Sequence, residues 1–192
     1  MVQTGHSGHG GSHRYERIFL IGMPGAGKTT IAHLLAHRLG WTCIDTDACV
    51  ECMQCARIEE IFSRHGEAEF RKQEADCLRR SAHMREAVIA TGGGAPLHDD
   101  GMQFILGSGL VIFLETSPDT LQDRLRQSGV QRPLLADSVE SLMVRLEALL
   151  RGREETYRHA HYVFTTDGRT PEEIVEGLVR VFGDAVQPGA AK

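Results

Sequence analysis

Residues 17–29 read Arg-Ile-Phe-Leu-Ile-Gly-Met-Pro-Gly-Ala-Gly-Lys-Thr, an aliphatic run from Arg17 to Gly22 that leads directly into a glycine-rich turn. The stretch Gly22-Met23-Pro24-Gly25-Ala26-Gly27-Lys28-Thr29 matches G-x-x-x-x-G-K-[ST], the phosphate-cradling loop, which works only between a strand and a helix. Both neighbours are in place. Downstream, Ile31, Leu34, Leu35 and Leu39 fall at i, i+3, i+4 and i+8, one apolar stripe with His33 and His37 off it, so Lys28–Leu39 is predicted to be a helix. The glycines let backbone N–H groups wrap a phosphate chain, and the helix N-terminus adds a favourable dipole. Lys28 can reach the β and γ oxygens, and the Thr29 hydroxyl can join the shell of Mg²⁺. Gly25, Ala26, Gly27, Lys28, Thr29 and Thr30 are therefore the candidate ATP-binding residues.

Working outward, short aliphatic or β-branched runs recur at Thr42 to Asp45, Ala87 to Thr91, Leu110 to Glu115 and Tyr162 to Thr165. With Arg17 to Gly22 they make five strands, each with little internal polarity, as expected of strands covered on both faces. Helical patterns at Ile58 to His65, Glu67 to Met84, Pro118 to Arg126, Ser138 to His159 and Pro171 to Phe182 alternate with them. That alternation predicts an α/β domain: a parallel sheet with helices on both faces. The domain is expected over residues 16–182. Residues 1–15, rich in Gly, Ser and His, read as a disordered arm, and residues 183–192 as a flexible tail.

A chain of 192 residues with 41% hydrophobic side chains can build one well-packed core. Its formal net charge of -5 argues against a nucleic-acid partner, whose phosphates call for a basic face. No stretch approaches the roughly 20 apolar residues of a membrane span, and the N-terminus lacks the apolar segment of an export signal. A cytoplasmic protein without membrane or nucleic-acid partners is expected, and a monomer. Five cysteines are an odd number and read as thiols. Cys49, Cys52 and Cys55 form C-x-x-C-x-x-C, which fits part of an iron–sulfur run with Cys43 or Cys77 as a fourth ligand; the plainer reading has them as small apolar side chains along one side of a helix, without metal. His33 and His37 read as solvated helix surface.

A phosphate loop alone leaves many nucleotide-using enzymes open, and the acceptor side must choose among them. Asp45-Thr46-Asp47 closes the second strand, where residues i and i+2 share a side, so both carboxylates can face the cleft. One could support Mg²⁺ and the other deprotonate a hydroxyl; the alternative for one of the pair is a helix N-cap. Gly92-Gly93-Gly94 follows the third strand at the carboxyl end of the sheet, where ligands bind in open α/β folds. Residues 124–137, with Gly129, Pro133, Arg124, Arg126 and Arg132, have the makeup of a lid that closes over ATP.

Read in order, Asp45-x-Asp47, Ile61-Phe62, Gly66-Glu67-x-x-Phe70-Arg71-x-x-Glu74, Gly92-Gly93-Gly94, Arg132-Pro133-Leu134-Leu135 and Arg153-x-x-x-Tyr157 resemble the shikimate kinase family over nearly the whole predicted domain. The resemblance implies a nucleoside-monophosphate-kinase-like P-loop fold with strand order 2-3-1-4-5 and a mobile lid. It also implies ATP-dependent phosphorylation of the 3-hydroxyl of shikimate, a step toward chorismate and the aromatic amino acids, with Mg²⁺. Residue by residue, Asp47 resembles the hydroxyl ligand and base, and Asp45 the residue near the metal shell. Arg71 and Arg153 resemble the carboxylate clamp, and Gly93 and Gly94 the backbone contacts to substrate and γ-phosphate. Arg132 resembles the lid arginine that reaches the phosphates, and Arg169, in the adenine-side loop Thr166 to Pro171, stands as a further ATP contact. Guanidinium forks suit a carboxylated polyol on chemical grounds as well. Cys55 departs from the pattern, standing where the family has a glycine between two short helices, so a differently built turn is expected there. The competing readings are another carboxylated-metabolite kinase, such as a gluconate kinase, and a non-catalytic sensor. The first lacks the triple glycine, and the second should have lost Lys28, Asp47 or an arginine.

Overall fold

The computed structural model describes residues 3–4, 15–128, 139–183 and 185–186. In chain order these form β1 (Gln3–Thr4), β2 (Arg17–Ile21), α1 (Lys28–Leu39), β3 (Thr42–Asp45), α2 (Thr46–Gln54), α3 (Ile58–Ser81) and β4 (Ala87–Ala90). A 3-10 turn at Ala95–Leu97 follows, then α4 (Gly101–Ser108), β5 (Leu110–Glu115), α5 (Pro118–Ser128), α6 (Val139–Tyr157), β6 (Tyr162–Thr165) and α7 (Pro171–Phe182). The sheet order is β1-β6-β5-β2-β4-β3. Counted from Arg17, its five parallel strands stand in the expected order 2-3-1-4-5. The sixth strand corrects the reading of a disordered arm at Gln3 and Thr4, the rest of residues 1–14 lying outside the described residues. Gln3 and Thr4 lie antiparallel to Val163 and Tyr162 at the sheet edge, where β6 offers unpaired backbone groups.

Ile18 to Ile21, Val88, Ile89, and Leu110 to Ile112 are all fully buried, which is why these strands show aliphatic runs rather than alternation. Helix α1 lays Ile31, Ala32, Leu35, Ala36 and Leu39 on the sheet, and His33 and His37 are exposed. Helix α7 starts with a capping box, Thr170 and Glu173 satisfying each other's backbone N–H groups, with Pro171 in the first turn. The tail reading also needs correction at its start. Val186 is buried, and the Ala185 carbonyl accepts from the Tyr15 N–H at 3.0 Å, so the fold closes on itself beyond residue 182.

Helices α2 and α3 build a second, smaller core from Val50, Ile61, Phe70 and Cys77, with Cys49, Ala56, Ile58 and Phe62 packed around it. Phe62 and Phe70 stack at 4.6 Å between ring centroids. Gly66 breaks the helical course of α3 at φ 78°, ψ 172°, the division expected between Ile58–His65 and Glu67–Met84. The run Cys49-x-x-Cys52-x-x-Cys55 does not line one face: Cys49 turns toward α3, while Cys52 and Cys55 are exposed.

The turn at Cys55 is not rebuilt. Cys55 itself takes φ 49°, ψ 34°, the left-handed conformation that glycine adopts without a Cβ penalty, and its N–H bonds to the Cys52 carbonyl. A left-handed β-carbon-bearing residue costs on the order of 1 kcal/mol. Cys55→Gly should therefore raise stability by about 0.5–1 kcal/mol, or roughly 1–4 °C in Tm for a domain of this size. Thermal unfolding of the two proteins side by side checks it, and an unchanged or lower Tm would show that the strain is absent.

Candidate functional site

Beyond β2 the chain turns through Gly25 at φ 87° and Gly27 at φ 90° into α1. Gly27 is the N-cap and has no side chain to accept the first-turn N–H groups, which face the loop as an anion cradle. Lys28 Nζ donates to the Gly22 and Met23 carbonyls, both at 3.0 Å, and so lies across the cradle's mouth.

Asp45 and Asp47 do not share a strand. The strand stops at Asp45, which is the N-cap of α2, and Asp47 stands in the first helical turn. Asp45 Oδ1 accepts the Ala48 N–H at 3.1 Å, and its Oδ2 accepts the Thr29 hydroxyl at 2.6 Å. The loop that holds phosphate and the end of β3 are thus tied by one carboxylate. Two hard oxygen donors this close, beside a phosphate cradle, fit the shell of Mg²⁺. Thr46, fully buried between the aspartates, accepts the Gly92 N–H on its Oγ1 at 2.8 Å and fastens α2 to the triple glycine.

The three glycines are crowded by functional side chains. A β-carbon on Gly92 would stand 2.1 Å from Glu74 Oε1 and 2.5 Å from Asp47 Oδ1. On Gly93 it would meet Arg153 Nη1 at 3.2 Å and the Gly22 carbonyl oxygen at 3.5 Å, and on Gly94 Arg71 Nη1 at 2.5 Å. Asp47, Arg71 and Arg153 are therefore gathered around one glycine segment that touches the phosphate loop. Arg71 Nη1 donates to Glu74 Oε2 at 2.8 Å, and its Nε and Nη2 donate to Glu67 Oε1 at 3.3 and 3.1 Å. Burial pushes the Glu74 carboxyl above its usual range, while Arg71, then Arg153 and Lys28, pull it back toward the charged form. From α6, Arg153 Nη1 donates to the Gly93 carbonyl at 3.4 Å, and the buried Tyr157 hydroxyl donates to the same oxygen.

On the nucleotide side, Arg124 donates to the Ala26 carbonyl at 3.3 Å and to the Thr166 carbonyl at 3.4 Å, joining α5, the phosphate loop and the loop after β6. Arg169 lies in that last loop with its guanidinium over the Phe164 ring at 5.4 Å. Arg132 and the lid span 129–137 fall outside the described residues, and residues 124–128 end α5. Sequence reasoning gave no task to Thr46, Glu74 or Tyr157, and it placed Arg124 in the lid rather than between the phosphate loop and the loop after β6. Glu74 is one turn from Arg71, and Tyr157 one turn from Arg153, so helical spacing could have found them. Nothing local marks Thr46.

The family model described as shikimate kinase matches residues 24–182 of this chain. The chain is 41% identical over 164 residues to the shikimate kinase of Symbiobacterium thermophilum, covering 84% of this chain and 93% of that protein. It is 36% identical over 167 residues to that of Thermodesulfovibrio yellowstonii, covering 87% and 95%. Among solved structures, the shikimate kinase of Bacteroides thetaiotaomicron superposes with a TM-score of 0.82 at 37% identity, covering 87% of this chain and 98% of that one. The Acinetobacter baumannii shikimate kinase, solved in complex with shikimate, also gives 0.82, at 32% identity over 88% and 93%.

The glycine crowding yields a test. Gly94→Ala places a methyl group inside the Arg71 guanidinium, so Arg71 must leave its position, whereas the phosphate loop is untouched. Acceptor kcat/KM should fall about 10-fold or more with nucleotide-analogue binding preserved. Unchanged acceptor kinetics would show that Arg71 is not held where it matters.

Proposed function

The chain belongs to the shikimate kinase family, and from that premise we propose that Asp47 takes up the proton as the 3-hydroxyl of shikimate is phosphorylated. The protein is an ATP-dependent kinase of shikimate. The observation that carries the assignment of roles is the convergence of Asp47, Arg71 and Arg153 on Gly92–Gly94, against the phosphate loop.

In this reading Arg71 and Arg153 grip the acceptor carboxylate with planar forks, and Glu74 and Glu67 hold Arg71 ready. The acceptor hydroxyl oxygen attacks the γ-phosphorus, the bond to the β–γ bridging oxygen breaks, and ADP leaves. Asp47 accepts the hydroxyl proton, and Lys28 neutralises charge on the transferring group. Gly93 and Gly94, with no side chains of their own, would offer backbone to the acceptor and the γ-phosphate beside Arg153 and Arg71. Gly25, Ala26, Gly27, Thr29 and Thr30 cradle the phosphates, and Arg124, with Arg169 at the outer edge, borders the base. Thr29 and Asp45 would hold Mg²⁺, directly or through water; when bound, the ion neutralises developing phosphate charge. Arg132 is proposed as the lid arginine on the strength of its sequence context. The net charge of -5 supports a free metabolite rather than nucleic acid as acceptor, and a cytoplasmic monomer is the working form proposed.

A gluconate kinase or a silent sensor remains separable by experiment. ADP release measured with shikimate, quinate and gluconate side by side should respond to shikimate; a response to gluconate alone would overturn the assignment. The aspartates separate further. Asp47→Asn should lower turnover by about 10² or more at every Mg²⁺ concentration. Asp45→Asn keeps a good N-cap, so its defect should be confined to the metal and shrink as Mg²⁺ is raised. Near-normal turnover of Asp47→Asn would remove the base role and leave positioning and electrostatics to carry the transfer.

A further inference from the structure

The second core contains a feature that phosphoryl transfer does not use. Cys77 Sγ on α3 lies 3.2 Å from Cys49 Sγ on α2 and 3.5 Å from Met53 Sδ, and both cysteines are free thiols. The two residues are 28 positions apart, so only the packing of α2 against α3 brings them together. Each is close in sequence to a residue of the acceptor site. Cys49 is two residues after Asp47 in α2, and Cys77 is three residues after Glu74, its neighbour one turn along α3, and six after Arg71.

We propose that Cys49 and Cys77 form a reversible disulfide on exposure to a peroxide, cross-linking the two helices that carry the acceptor-binding residues. A disulfide needs a sulfur separation of about 2 Å, so the thiols must close by roughly 1 Å, a movement within reach of side-chain rotation and slight helix approach. The thiols differ in access. Cys49 is half-buried and meets the oxidant first, whereas Cys77 is buried, and its thiol is pushed up to about 12 by that burial and then by Cys49. The steps balance: the Cys49 thiol attacks one peroxide oxygen, giving a sulfenic acid and water. Cys77 sulfur then displaces the sulfenic hydroxyl, its own proton leaving with that group as a second water. Two electrons pass from the thiol pair to the peroxide, and a dithiol reductant returns them by exchange.

Exposed Cys52 and Cys55 are the natural competitors, yet the Cys55 thiol donates to the Cys52 carbonyl and, among the described residues, neither is hydrogen-bonded to a second thiol. The consequence for kinetics rests on the acceptor site proposed above. Drawing α2 toward α3 shifts Asp47 against Arg71 and Glu74, and displacements on the order of 1 Å around a reacting group are costly. The phosphate loop packs in the other core and meets α2 through the Asp45 cap, so it is disturbed less than the acceptor residues.

The experiment treats the full-length protein with hydrogen peroxide, alkylates the remaining thiols, and maps peptides by mass spectrometry without reduction. The expected result is a Cys49–Cys77 linked peptide with three alkylatable thiols left of the five. Shikimate kcat/KM should fall about 10-fold or more with the ATP KM little changed, and dithiothreitol should restore it. Cys49→Ser, at the more exposed and tolerant position, should abolish both the link and the loss, as should Cys77→Ser if it folds. The double variant Cys52→Ser with Cys55→Ser should keep both. A link between other cysteines, or sulfenic and sulfinic adducts without a link, overturns the proposal. A Cys49–Cys77 link with unaltered shikimate kinetics overturns its coupling to the acceptor site. The peptide map reads the bond without reference to activity, and the reduced protein assayed with shikimate tests the functional reading separately.

Discussion

The missing β-carbons of Gly92 and Gly94 are the constraint on which the acceptor site depends. Glu74, Asp47 and Arg71 stand where those carbons would be, within 2.1 to 2.5 Å. Three elements meet there. Helix α2 brings Asp47, α3 brings Arg71 and Glu74, and α6 brings Arg153 and Tyr157 onto the carbonyl of Gly93. A larger residue at either position would displace a charged group of the acceptor site. The sheet holds the glycines in place because β4, which leads into them, lies between β2 and β3 and is buried along its length.

That arrangement spreads the cleft over two hydrophobic cores. The phosphate loop springs from β2 in the main core, whereas Arg71 and Glu74 ride on α3, whose inner face packs with α2 in the smaller one. Among the described residues, polar links that bridge them at the cleft include Thr29 to Asp45, Gly92 to Thr46, and the Arg71–Glu74 pair lying against Gly92 and Gly94. The registration of donor and acceptor sites rests on those polar contacts together with Leu78, through which α3 also enters the main core.

Much of this was legible. The five parallel strands could be marked because burial on both faces leaves aliphatic runs that no amphipathic helix imitates, and the phosphate loop carries its own strand–turn–helix context. The carboxylates, arginines and glycines of the acceptor site were readable as chemistry in a fixed order along the chain. Helix α4 was not, and α2 was readable only as a helix carrying the cysteines, without bounds. Helix α2 reads Thr-Asp-Ala-Cys-Val-Glu-Cys-Met-Gln, mostly poor helix formers, and it exists because Asp45 caps it and Val50 finds the second core. Helix α4 begins at a glycine and spans only eight residues, too few for a periodic signal. The strand reading of Asp45-Thr46-Asp47 failed for the same reason: a cap turns the chain before the alternation can continue. The edge strand Gln3–Thr4 was illegible because two polar residues acquire their conformation from β6 and not from their own sequence.

The arginines show why geometry must follow motif. Arg71 and Glu67, four apart on a helix, would by themselves be a surface pair worth about 0.3–0.5 kcal/mol. What changes the reading is Glu74, a carboxylate only 3% exposed that lies among Arg71, Arg153 and Lys28. A buried charge of this kind does little for stability by itself, since desolvation offsets most of the attraction. Its effect is on direction: one buried oxygen fixes one fork of the guanidinium at 2.8 Å, and Glu67 at the helix surface fixes the other side. The arginine thereby gives up the rotamer freedom that binding would otherwise have to remove, and a carboxylated acceptor meets a fork already aimed.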